Sequence, residues 1–304
     1  MGCTTPRAIY FGSPGYLTTI DYPREGIIAD RTRSIAEFAL DAGGERATFM
    51  PGGRRRYTLV WDALTSTSWY TLWGYYHGHN GQGPFVIINP GTINFLTVNQ
   101  SSGTSETNDT SGFTVAGTGG VIASQTTTVY QGLRALSWTF GTATPGVSTL
   151  TLNTPSTDWT GIPVYPALTY SFSVQIKQYA VGAVTLTAEI LWYKADGTAS
   201  TTPSSSGASL ASSGAWQQLY VSAAAPADAA FALCRVEATS ASIALNESVA
   251  LDAFQFEISA APTIWTPGSG ILPVVMVTLT GDHQMYRSST NRLGPTLVLQ
   301  EVGG

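Results

Sequence analysis

The chain holds three histidines, His77, His79 and His283. Two of them stand as His77-Gly78-His79, and residues two apart on an extended segment share a face. Both rings could therefore reach one metal ion, but a zinc site needs three or four protein ligands and the spacing supplies no third. The sequence contains no G-x-S-x-G, no phosphate-binding loop, no Cys-x-x-Cys and no H-E-x-x-H. Glycoside hydrolysis needs two carboxylates facing each other across a cleft. Glu189, Asp196, Glu237, Asp252 and Glu257 are available, and nothing in the sequence pairs them. These residues predict a protein that is not an enzyme.

Binding chemistry remains. A pyranose has an apolar face and a polar rim, so a sugar site needs an exposed ring beside hydrogen-bonding side chains. Trp159, Tyr165, Tyr179, Trp192, Tyr193 and Tyr220 are the available rings in the second half. Alternation puts Trp192 and Tyr193 on opposite faces of a strand. Trp159 and Tyr179 lie in turn-rich stretches and are expected at the surface, whereas Trp216 opens a strand and is expected in the core. Trp159, Tyr165, Tyr179 and Trp192 form the expected glycan-binding set, with a core or loop-anchoring role as the competing reading of each. The one basic cluster, Arg54-Arg55-Arg56, reads either as a solvated turn before a strand or as an anchor at an assembly interface, where arginine is enriched.

The elements that must hold these residues are nearly all strands. Arg56–Trp61, Leu168–Lys177, Val184–Tyr193, Trp216–Val221, Phe231–Ala238 and Val249–Glu257 alternate and are rich in β-branched and aromatic residues, with Gly, Pro, Asn and Ser between them. That spacing predicts an all-β sandwich or barrel. One helix is expected over Ser66–Tyr76, capped by Ser66 or Thr67, with Leu64, Trp69, Leu72, Trp73 and Tyr76 as a core stripe. The Ser-rich stretch Ser200–Ser213 reads as a flexible loop. Composition shifts near Pro90 and again at Pro267-Gly268-Ser269-Gly270. The simplest organisation is a discontinuous domain of residues 1–92 plus 271–304, interrupted by an inserted module over 93–270, because inserted domains enter and leave at nearby surface points.

Bulk properties narrow the function. Charged residues make up 11% of the 304 residues, against about 25% in an average soluble protein. No apolar run approaches the ~18 residues that span a bilayer; Ile271–Val277 is short and contains Pro273. Membrane insertion is not expected. The surface is expected to be covered by small polar residues and neighbouring subunits. With a net charge of −5 and only two lysines, the chain has no basic stripe for nucleic acid. Cys3 and Cys234 do not make a disulfide framework, and Cys234 reads as a small buried hydrophobe. No apolar segment precedes Cys3, so no secretory signal is expected, and assembly in the cytoplasm is.

Two resemblances add to this. The segment from Asn94 to Pro267 resembles jelly-roll carbohydrate-binding modules of the galactose-binding-like group. The residues that carry it are Asn94-Phe95-Leu96, Gln131–Leu136, Pro166–Val174, Leu191–Gly197, Trp216–Leu219 and Leu251–Glu257, in that order. The resemblance implies an inserted jelly-roll β-sandwich, and a structural calcium held by Asp252 with Glu106 or Asp109. Calcium takes six to eight oxygens, many from the backbone. The alternative is that Asp252 caps a strand edge or pairs with Arg134 or Arg235.

The outer segments resemble minor tail or distal tail proteins of siphophages, especially those of actinobacterial hosts. Gly53–Leu64, the aromatic helix, Gly81–Pro90, Ile93–Thr97 and the exit Ile264–Val274 carry this resemblance. It implies a virion subunit of the phage tail tip, assembled in the host cytoplasm as a ring or trimer. Its partners would be tail tube, tail hub and tape-measure proteins, and its outward jelly roll could touch host cell-surface glycan. The alternatives are a non-viral bacterial carbohydrate-binding protein and a glycan depolymerase.

Overall fold

The computed structural model describes residues 8–31, 35–39, 45–49, 54–103, 108–117, 120–140, 147–154, 156–179, 184–239, 247–282 and 292–302, with the backbone alone at 31, 35–39, 45–49, 239, 281–282 and 292. Backbone contacts divide the chain into two units. The first comprises 1–13, 17–89 and 272–304, and the second 14–16 and 90–271.

The first unit begins with β1 (Ala8–Gly12), β2 (Thr18–Asp21), β3 (Ile28–Arg31), β4 (Ile35–Ala39), β5 (Glu45–Phe49), β6 (Arg55–Val60), β7 (Leu64–Thr65), α1 (Ser66–Tyr76) and β8 (Val86–Ile88). The second holds α2 (Val98–Ser101), β9 (Phe113–Gly117), β10 (Val121–Gln125), β11 (Ala135–Thr139), β12 (Val147–Leu152), β13 (Ile162–Pro163) and β14 (Thr169–Gln178). It continues through β15 (Thr185–Tyr193), β16 (Ala199–Ser206), β17 (Leu210–Ala211), β18 (Gln217–Ala224), β19 (Phe231–Thr239) and β20 (Ser248–Ile258). Two last strands, β21 (Val274–Asp282) and β22 (Arg292–Glu301), return to the first unit. The fold class is all-β, as the alternation predicts.

In the first unit a sheet ordered β2-β1-β8 and a sheet ordered β21-β22-β6-β3 share a core, with β7 also on β22. Phe11, Tyr75 and Phe85 meet at its centre, with ring centroids 5.0–5.3 Å apart. Burial raises the Tyr75 hydroxyl pKa. The helix over Ser66–Tyr76 forms with the expected bounds, but Thr65 is its cap and accepts from the Ser68 N–H at 3.3 Å. Gly78, at φ +74, follows its end in the left-handed conformation that glycine adopts without a Cβ penalty.

The second unit is a sandwich of two antiparallel sheets, ordered β10-β11-β20-β14-β18 and β16-β15-β19-β12-β9, with β13 on β19 and β17 on β15. Between them lie Trp138, Tyr170, Phe172, Trp192, Phe254 and Phe256. Each such side chain stabilises the fold by roughly 1.5–3 kcal/mol through burial. Tyr170 stacks on Phe256 at 5.3 Å. Asn94 ties the entering and leaving segments to β20. Its amide donates to the carbonyls of Phe254 and Thr266, and its oxygen accepts from Leu96 and Phe256.

The Ser-rich stretch corrects the sequence expectation. Residues 199–206 form β16, with Ser204, Ser205 and Ser206 opposite Leu191, Ile190 and Glu189. The hydroxyls find partners there: Ser205 accepts from Trp192 Nε1 at 3.0 Å, and Ser206 donates to Glu189 at 2.8 Å. Serine forms a strand at this edge because the neighbouring strand satisfies it.

Candidate functional site

Strands β14 and β18 pair along the edge of the five-stranded sheet, with Ser173 opposite Tyr220, Gln175 opposite Gln218 and Ile176 opposite Gln217. Leu219 and Val221 are buried in the core. Alternation therefore turns Trp216, Gln218 and Tyr220 to the outer face. On β14 the buried Phe172, Val174 and Ile176 place Ser173, Gln175 and Lys177 on that same face. One step beyond the Ile176–Gln217 pair, the Lys177 ammonium lies 6.0 Å from the Trp216 ring centroid. Both residues are half-buried, and a cation–π contact contributes about 0.5–1 kcal/mol at exposed sites and about 2 kcal/mol when desolvated. Tyr130 meets the same indole edge-on at 5.6 Å and is 42% exposed. Tyr179, two residues beyond Lys177, is also exposed, and Tyr220 is 49% exposed.

A bulge shapes this face. Val249 and Leu251 point inward, then Phe254 and Phe256 do, one residue out of phase, because the β14–β20 register shifts between Ser173 and Gln175 and Ala253 takes φ 52. The shift leaves Asp252 on the outer side of the sheet, fully buried. One carboxylate oxygen accepts the Tyr130 and Gln131 N–H groups at 2.8 and 3.0 Å, and the other accepts from Ala253 at 2.6 Å. Those bonds hold the 126–134 loop so that Tyr130 reaches Trp216. Asp252 thus positions an aromatic residue through these bonds. Its oxygens face N–H donors, and it meets neither candidate arginine: Arg134 donates to Ser124 and Arg235 pairs with Glu189. Asp109 is exposed and accepts from Ser111 and Asn99, with its pKa lowered mainly by the Ser111 hydrogen bonds. Glu106 lies outside the described residues. Among the described residues no three His, Cys, Asp or Glu side chains gather as a metal site.

Three of the four expected sugar-stacking rings are placed elsewhere. Trp192 has no exposed surface and packs 6.2 Å from Tyr170; it is a core residue. Trp159 is 7% exposed and packs against Phe231 at 6.4 Å, so its turn-rich surroundings do not bring it to the surface. Tyr165 is half-buried, and its N–H donates to the Tyr170 hydroxyl at 2.8 Å. Tyr179 alone of the four stands beside the Lys177–Trp216 pair in sequence and in exposure. The rings that sequence reasoning misses are Trp216 and Tyr130. Trp216 had a usable signal: Leu219 and Val221 fix the phase of its strand.

The outer face of the seven-stranded sheet is built differently. Arg235 lies between Glu189 and Glu237, at 2.5 and 3.6 Å, and Ser206 completes the bonding of Glu189. These groups satisfy one another. At the end of this sheet Asp228 accepts from Ser200 and Thr201, which lowers its pKa, the Ser200 hydroxyl most strongly.

In the first unit, Arg55 departs from the interface expectation. It donates through its guanidinium and its N–H to Glu301, which also accepts from the Tyr57 hydroxyl. It is a tie within its own sheet, while Arg54 and Arg56 are exposed. Helix α1 buries Leu72 and Tyr75 but leaves Tyr70, Trp73 and Tyr76 exposed, so only part of the expected core stripe is core. Trp69, Trp73 and His77 form a ring ladder with centroids 5.4 and 4.3 Å apart. His77 and His79 are 6.2 Å apart between centroids, and His283 lies outside the described residues.

No protein-family model and no curated protein matches the sequence. Solved structures are similar in part. One is the CBM22-1 xylan-binding domain of Paenibacillus barcinonensis Xyn10C, at 21% identity over 51% of this chain and 92% of that one, with a TM-score of 0.37. Another is the C-terminal family 22 carbohydrate-binding module of Clostridium thermocellum Xyn10B, at 20% identity over 58% and 97%, with a TM-score of 0.38. A third is the enzymatically active domain of bacteriophage CBA120 tailspike protein 4, at 14% identity over 57% of this chain and 22% of that one, with a TM-score of 0.40. Among the described residues no helix is long and apolar enough to cross a membrane.

Proposed function

We propose that the inserted sandwich is a carbohydrate-adhesion module that binds through the outer face of β14 and β18. The observation that carries this is the row Lys177–Trp216, Gln175–Gln218 and Ser173–Tyr220 with Tyr130 over its end. It sets the exposed rings of Tyr130 and Tyr220 and the half-buried ring of Trp216 beside amide and ammonium donors, the pairing that a pyranose requires. No acid–base pair of carboxylates belongs to the row, which favours retention of a glycan over its cleavage. The test is a glycan array with the full chain, followed by titration of the best ligand against Trp216→Ala. At least a tenfold loss of affinity supports the reading; an unchanged isotherm contradicts it.

The chain as a whole reads as a structural subunit of a phage tail tip, a virion protein assembled in the host cytoplasm with tail tube, tail hub and tape-measure partners. That reading rests on the resemblance of the outer segments, and the surface of α1 favours it. This helix contains no charged residue, yet it exposes Tyr70, Trp73 and Tyr76. Exposed aromatic clusters of this kind mark protein interaction sites. Arg54 and Arg56 remain available for a neighbour. Light scattering should show an oligomer for the native chain, and Trp73→Ser with Tyr76→Ser should shift it towards monomer with little change in melting temperature. A monomeric native chain at micromolar concentration would contradict the assembly reading while leaving adhesion open.

A further inference from the structure

Asn80 is the only asparagine of the chain that is followed by glycine. The pair Asn80-Gly81 lies in the exposed turn that closes α1. In that turn the His77 N–H donates to the Trp73 carbonyl at 3.0 Å, and the His79 and Asn80 N–H groups donate to the Gly74 carbonyl at 2.8 and 3.2 Å. These bonds satisfy carbonyls that a helix end leaves without intrahelical partners. The Asn80 side chain adds one more, from Nδ2 to the Thr71 carbonyl at 3.2 Å. Its seat is Gly74, where an added Cβ would come within 2.5 Å of Nδ2. The turn thus uses the Asn80 amide as a donor towards the C-terminal half of a helix that contains no charged residue.

The same amide is open to attack by its own backbone. Asparagine is a thermolabile residue, and the nitrogen that follows it reaches the side-chain carbonyl through a five-membered ring, which holds the reacting groups together. Glycine leaves that nitrogen uncrowded because it has no Cβ. At Gly81 the nearest described atom to an added Cβ, chain neighbours aside, is Ser13 Oγ at 3.7 Å. The Gly81 N–H donates to the Gly78 carbonyl at 3.3 Å, the longest bond of the turn. Asn94 is the opposite case: it is buried, its amide is bonded on both sides, and Phe95 follows it. We infer that Asn80 is a self-modification site. The Gly81 nitrogen bonds to Asn80 Cγ, the Cγ–Nδ2 bond breaks, and ammonia leaves with the Gly81 proton. Water then opens the resulting succinimide to an aspartate or isoaspartate. The new carboxylate cannot donate to the Thr71 carbonyl, and it stands near the negative end of the helix dipole. The turn is released beside the exposed Trp73 and Tyr76, so the aromatic end of α1 changes as the chain ages.

Incubating the full native chain in warm, mildly alkaline water enriched in heavy oxygen, followed by peptide mapping in a mass spectrometer, tests it. The carboxylate formed at position 80 should take up the label at least tenfold faster than any other asparagine, Asn99 included. Asn80→Gln, which keeps an amide but cannot close the five-membered ring, should lower labelling at the site at least tenfold. Backbone hydrogen exchange over His77–Asn80 should quicken severalfold in the aged chain, and Asn80→Asp should reproduce that change without ageing. Labelling at Asn80 no faster than at Asn99 overturns the site. Labelling that leaves exchange in the turn unchanged, in the aged chain and in Asn80→Asp alike, overturns its consequence for α1. Neither result depends on the adhesion or the assembly reading.

Discussion

On the seven-stranded face of the inserted sandwich, Arg235 is held between Glu189 and Glu237, and Ser206 closes the set. On the five-stranded face, Lys177 lies against the Trp216 ring, and Gln175, Gln218 and Tyr220 stand in a row beside it. Both faces carry polar side chains on alternate positions of neighbouring strands. The first set is arranged as donors matched to acceptors, so little is left for a ligand. The second sets amides and aromatic faces side by side on the outer side of the sheet. What separates the two faces is whether the polar groups meet each other, not how many there are, and the proposed recognition face is the one where they stand beside aromatic rings.

That contrast can be broken at graded cost. Trp192→Ala removes a ring between the two sheets and should destabilise the chain by about 3–5 kcal/mol in urea unfolding. A small change would return Trp192 to the surface and restore it as a sugar platform. Arg235→Ala leaves Glu189 without its cation and should cost about 1.5–3 kcal/mol. If it costs nothing, the seven-stranded face is not self-satisfied and the comparison fails. Smaller still is the effect of Asp228→Asn. The folded pKa of Asp228 is lowered, so its stabilisation is fully present above the unfolded value of about 3.9 and is lost as pH falls through the folded value. The variant should be less stable than the native chain above about pH 4, pH 7 included, and the two curves should converge as pH falls through the folded value. A parallel shift at all pH values would place the role of Asp228 outside its ionisation.

Much of the fold is legible in the residues. Alternation marks β14, β15, β18, β19 and β20, and the α1 bounds follow from its capping region and the Gly after it. The Ser-rich β16 escapes because its pairing depends on Trp192 and Glu189 of the neighbouring strand, which no local pattern shows. Trp216 is legible once Leu219 and Val221 set the phase; reading its ring alone as core material misplaces it. Tyr130 is not legible, since Asp252, 122 residues away, positions its backbone. Trp159 misleads in the opposite sense, because turn residues around it do not reveal Phe231 beneath. In α1 the rings at 69, 70, 73, 75 and 76 lie too nearly all around the helix for spacing to separate the buried Tyr75 from the exposed Tyr70, Trp73 and Tyr76.

The most direct test of the central claim is titration of the full chain and of Trp216→Ala with the glycan that binds best, with melting temperatures recorded alongside. The account predicts at least tenfold weaker binding by the variant and a stability loss of about 1 kcal/mol, the centre of the range for single substitutions, because Trp216 is half-buried. Equal affinity in the two proteins, or a variant that binds less only because it unfolds, would contradict it.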